Sequence, residues 1–134
     1  MADQIQIVVR AMEQVTEQVI KKLTLDVVAN LRRAASEGGT PVKTGWARAN
    51  WMANVGGSTE GVNGDPNAVA AAEGAQQAAL GSVLAYKLAG GPVFITNNVP
   101  YILKLNEGSS KQAAAGFVQR AIQEAVTGLR SVAA

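Results

Sequence analysis

The side chains able to do chemistry are few and scattered. The chain contains no histidine and no cysteine. That removes the usual general base, the commonest metal ligand and all thiol chemistry. Ser109 and Ser110 stand together, but no base lies nearby in sequence to take a hydroxyl proton, so nucleophilic catalysis has no support. Glu60 and Asp65 share one loop; two such carboxylates without a third ligand read as solvated groups before they read as a cation site. Gly56-Gly57 and Gly90-Gly91-Pro92 lack the lysine of a phosphate loop. Lys104, Lys111 and Arg120 form a basic edge in sequence, yet aromatic residues are only 4% of the chain, too few for a base-stacking platform. A net charge of +2 does not argue for nucleic acid on composition. The reading is a protein that works by contact rather than catalysis, without metal or cofactor.

The elements that position these residues follow from periodicity. At 134 residues one domain, 1–134, is the default. Ile5, Val8, Met12, Val15, Val19, Leu23, Val27 and Leu31 recur at three- and four-residue steps, predicting a helix from 3 to about 36. It would be roughly 50 Å long at 1.5 Å per residue, more than a domain of this size needs. Either it lies across a sheet, or one end protrudes and contacts a neighbour. Ser36 to Pro41 stops it. From Trp46 to Val55 the pattern alternates with period two, which predicts a half-buried strand. On that strand Trp51 points to the core. Trp46, Arg48 and Met52 take the opposite face, where two large apolar groups in a monomer would be left wet. Residues 56–90 form a variable insert: a glycine-rich loop over 56–67, the most mobile segment by composition, then an alanine-rich helix to about Leu88. The whole insert, Gly56 to Gly90, is expected to be dispensable for folding. No run reaches the length of a membrane span.

The most legible stretch is Ile95 to Val118. Val93 to Thr96 is a short strand. Asn98 and Pro100 suit a helix start, Tyr101 and Leu105 share a face, and Gly108 suits a left-handed stop. Ser109-x-x-Gln112 has capping-box spacing for a final helix over 113–132. Its buried stripe would be Phe117, Ala121, Ile122, Ala125, Val126 and Leu129. The fold class expected is α+β, with long N-terminal and C-terminal helices packed on a small, mainly antiparallel sheet. Glu107 and Arg48 are expected to pair, within one subunit or across two.

Two segments, TPVKTGWARANW (Thr40 to Trp51) and ITNNVPYILKLNEGSSKQAAAGFV (Ile95 to Val118), resemble the signature segments of tailed-phage neck and tail-completion proteins, the head–tail joining family related to the lambdoid minor tail protein Z. Their order also resembles that family: long helix, strand, variable insert, strand, corner, final helix. Lys43 departs from the aspartate common there, and Ala114 from the proline. The resemblance implies a virion structural protein, not an enzyme. It would form a homo-oligomeric ring, a hexamer being one candidate, between the tail tube and head-completion or portal-side proteins, with DNA at most passing through the lumen. It would reside in the virion and, during assembly, in the host cytoplasm. The subunit or partner interface is expected at Trp46, Arg48, Met52, Tyr101, Lys104, Glu107 and Lys111. The alternative is a small nucleic-acid-binding module using Arg32, Arg33, Lys43 and Arg48, whose binding would fall steeply with salt.

Overall fold

The computed structural model describes residues 2–112 and 114–133. Helix α1 runs Ala2–Arg32, a little shorter than the periodicity suggests. Only the second half of its apolar stripe is covered: Val27, Val28 and Leu31 are buried, while Asp3 to Thr16 are exposed throughout. Contact with the body begins at Glu17. Its carboxylate accepts the Leu88 N–H at 2.9 Å and lies 3.9 Å from Lys87 Nζ. The first half of α1 therefore protrudes, by roughly 20 Å at 1.5 Å per residue.

A tight turn ends α1. Gly39 N–H donates to Ala34 O at 3.0 Å, and Thr40 N–H to Leu31 O at 3.0 Å. The buried Thr40 hydroxyl donates to Leu31 O at 2.7 Å and accepts the Trp51 indole N–H at 2.9 Å. One hydroxyl thus joins the end of α1 to the segment carrying the sheet.

The expected strand over Trp46–Val55 is only half a strand. Trp46–Ala49 is a one-turn helix, α2, and β1 spans Met52–Val55. Gly45, at φ 91°, turns the chain into α2, and the Trp46 N–H donates to Thr44 Oγ1 at 3.2 Å. Ala47, Arg48 and Ala49 are good helix formers, so propensity prevails over a weak alternation. β1 pairs antiparallel with β2 (Val93–Thr96) in the register Met52↔Thr96 to Val55↔Val93. The α+β class holds: long terminal helices and a small antiparallel sheet.

Helix α3 (Val69–Leu84) carries the insert. It packs on β1 and on α1. Val28, Ala53 and Val83 form one buried cluster there. Gln76, almost wholly buried, donates from its amide to Arg48 O and Trp51 O, each at 3.1 Å. The insert helix is therefore part of the core. The loop before it is tied down too. Asn63 O accepts Trp46 Nε1–H at 2.8 Å and Asn50 Nδ2–H at 3.1 Å, and Asn63 N–H donates to Asn50 Oδ1 at 2.8 Å. Asn98 Nδ2 donates to Thr59 O and Gly61 O. These bonds reverse the expectation of a dispensable loop. Replacing Gly57 to Asn67 with glycine and serine keeps these backbone groups but frees the loop that aims them at Trp46 and Asn50, and should cost about 2–3 kcal/mol, at about 1 kcal/mol per part-buried hydrogen bond lost. Thermal unfolding should move down by several degrees; an unchanged melting temperature would show that the loop bonds contribute no net stability.

The corner keeps its glycine stop and loses its capping box. Helix α4 is Ile102–Asn106. At its end Ser109 N–H reaches Lys104 O at 3.1 Å and Gly108 N–H reaches Leu105 O at 3.2 Å, with Gly108 at φ 96°, the Schellman pattern. No side chain caps α4, whose N-cap is Tyr101; Asn98 does not cap it, and Asn97 instead fixes the preceding turn, its Oδ1 accepting the Val99 N–H at 3.1 Å and its Nδ2 donating to Ala47 O at 2.8 Å. The last helix, α5, is Phe117–Ala133 rather than 113–132, and Ala113 lies outside the described residues. Its first turn is capped from α4, where Asn106 Oδ1 accepts the Val118 N–H at 3.0 Å. Phe117, Ala121 and Ala125 are buried with Leu31, Trp46 and Trp51 in the main core, whereas Ile122 is 47% exposed.

Candidate functional site

The two signature segments meet. Pro41 to Ala47 form one wall of an open cavity of about 770 Å³; Tyr101, Leu105, Ser109, Ser110 and Gln112 form the other. Gln112 joins the walls. Its amide accepts the Val42 N–H at 2.9 Å and donates to Val42 O at 2.7 Å, pairing with that residue as a neighbouring strand would. The rings of Trp46 and Tyr101 lie 6.2 Å apart, tilted at 56°, within the range for favourable edge contact. Among the described residues, Lys43 is the sole charged one lining this cavity. Apolar groups, hydroxyls and an amide recognise a surface by shape and hydrogen bonding. They supply no acid–base pair beside Ser109 and Ser110. Among the described residues no group of three or more acidic side chains is placed to hold a metal ion.

The proposed interface residues separate into three sets. Trp46 and Met52 are buried, at 8% and 4% exposure, so neither presents a wet apolar face. The expectation failed because α2 turns Trp46 inward beneath the 56–67 loop, where its indole N–H finds Asn63 O. Met52 sits on β1 opposite Thr96. Arg48 lies elsewhere, half-buried beside a shallow cavity shared with Arg32, Arg33, Glu73 and Gln76. Among the described residues Arg48 makes no ion pair with Glu107 within the chain. Among the described residues, the ion pairs that join distant parts of the chain are Arg33–Glu124 at 2.6 Å and Lys87–Glu17 at 3.9 Å. The remaining set, Tyr101, Lys104, Glu107 and Lys111, is exposed around α4. Leu103, not anticipated, joins it at 74% exposure. A leucine one turn from Glu107 and beside Lys104 carries no distinguishing signal in a single sequence.

The roles that sequence reasoning missed belong to side-chain amides: Asn50, Gln76, Asn97, Asn106 and Gln112. Each pairs with backbone of another segment. Their one advance signal was asparagine standing where a strand disfavours it. The three arginines of the nucleic-acid alternative, Arg32, Arg33 and Arg48, do come together. Glu73 lines the same cavity, Arg33 is held by Glu124, and Lys43 lies at the other cavity. No described helix is long and apolar enough to cross a membrane. No family model, curated protein or solved structure matches the chain.

Proposed function

We propose that this protein is a structural component of a tailed-phage virion, forming a ring at the head–tail junction that joins the tail tube to the head. It acts by docking, in the virion and beforehand in the host cytoplasm, and needs no cofactor. One observation carries the reading. The two segments on which the family resemblance rests are far apart in sequence, yet they form one unit, joined by Gln112–Val42, Asn97–Ala47 and Trp46–Tyr101. That unit presents Tyr101, Leu103, Lys104 and Glu107 on an exposed helical face. An apolar residue rimmed by charges suits a partner contact.

The test uses Leu103→Asp, at a site exposed enough to leave the fold alone. The variant should be soluble and as stable as the parent within about 0.5 kcal/mol. It should fail to complement a deletion for joining heads to tails. Normal yields of joined particles with this variant would remove α4 from the docking surface.

A further inference from the structure

The protruding half of α1 is apolar along one side. Ile5, Val8, Met12 and Val15 follow one another at steps of three and four residues, each at least 57% exposed, with Val9 beside them. Single exposed aliphatic residues are ordinary on a soluble surface, but a run on one helical face marks a contact. The neighbours flanking this stripe, Val9, Ala11, Thr16 and Gln18, are uncharged. Asp3, Arg10, Glu13 and Glu17 lie off it by helical spacing. The stripe can be covered without stripping water from a charge.

A second apolar feature lies on the body. A groove of about 310 Å³ runs between the second half of α1, β2 and α5, lined by residues that include Leu23, Val27, Val93, Ile95, Ile122 and Val126, with no charged side chain among the described residues of its walls. The stripe cannot fill the groove of its own chain. Helix α1 is continuous, has no glycine or proline at which to fold back, and leads away from the body before Glu17.

We infer that the protruding half of α1 from one copy seats in the α1–β2–α5 groove of a second copy, joining copies head to tail. Stripe and groove agree in chemistry, both aliphatic and uncharged. Specific interfaces bury on the order of 1,000 Å² or more in total, a size that needs both features covered along their length. Because the two patches differ, an open chain of contacts always leaves a free stripe at one end and a free groove at the other, and a suitable rotation closes it as a ring. In this respect the inference rests on the ring reading and gives that ring its subunit contact.

The purified full-length chain tests it. Light scattering across a concentration series should show association. Met12→Asp in the stripe and Ile122→Asp in the groove should each weaken it at least about a hundredfold, since either buries an unpaired carboxylate. Both positions are exposed in the single chain, and circular dichroism checks that the variants fold. Mixed together, the two variants should form a one-to-one pair and nothing larger, because one retains an intact groove and the other an intact stripe. The chain has no cysteine of its own, so Met12→Cys and Ile122→Cys in separate copies should form a disulfide on oxidation. Three results would each overturn the contact: a parent chain monomeric up to millimolar concentration, an Ile122→Asp variant that associates like the parent, or a mixture that stays monomeric. Association through this contact by a chain absent from virions would leave the contact standing and remove the phage assignment. A virion ring whose Met12→Asp variant associates normally would do the reverse.

Discussion

Trp46→Asp should not fold. Trp46 is 8% exposed, packs in the main core and against the Tyr101 ring, and donates its indole N–H to Asn63 O at 2.8 Å. Truncating such a side chain costs about 3–5 kcal/mol. Burying a carboxylate in that core adds several more. A domain of this length has roughly 7–20 kcal/mol in total, so most or all of the stability is removed. The variant is expected in inclusion bodies or, if recovered, without a cooperative urea transition. Trp46→Phe separates packing from the hydrogen bond: it keeps most of the ring, loses the N–H, and should cost about 1–3 kcal/mol. A folded, soluble Trp46→Asp protein that merely fails to assemble would mean that Trp46 is an interface residue after all.

The second large effect is expected at Gly39. A Cβ built there would lie 1.8 Å from the Arg33 carbonyl oxygen and 2.5 Å from its carbonyl carbon. Backbone atoms cannot swing aside as a side-chain tip can, so Gly39→Ala must open the turn that ends α1. That turn places Thr40, whose hydroxyl holds Leu31 O and the Trp51 indole together. The loss should reach about 3 kcal/mol, the upper end for overpacking. For a domain of this size that is a fall of roughly 10 °C in melting temperature. Gly57→Ala is the matched control, since nothing lies within 4 Å of a Cβ there; it should melt within about a degree of the parent. Equal melting of the two variants would show that the turn relaxes without cost.

What could be read from the sequence divides along physical lines. Helices α1 and α5 were legible because their apolar residues keep one spacing over several turns, and Gly108 because a left-handed helix end has few other solutions. The α+β class followed from them. The segment Trp46 to Val55 was misread because four small or amphipathic residues satisfy both a two-residue and a helical period. Only Thr44-Gly45 decides the matter, by turning the chain just before Trp46. That error put Trp46 on the surface; Met52 was misplaced because both faces of β1 are covered at its start, Met52 and Ala53 being buried alike. The loop of residues 56–67 looked free because its composition reports backbone flexibility and says nothing of Asn63, whose carbonyl serves two donors across the chain. The exposed surface around α4 was half legible. Tyr101, Lys104, Glu107 and Lys111 are exposed, as a contact would require, while Leu103 emerged only from the way α4 rolls to bury Ile102. The protruding half of α1 was one of two readings of an overlong helix, and sequence alone offers no way to choose between them.

The central claim is that copies of this chain form a ring between head and tail. Its most direct test is a single-particle reconstruction of virions produced by the genome that encodes the chain, with the protein identified in the purified particles. The expected result is a closed ring of this fold at the head–tail junction, with α4 toward a neighbouring protein and each α1 extending onto the next copy. Particles that lack the protein, or that carry it away from the junction, would contradict the claim.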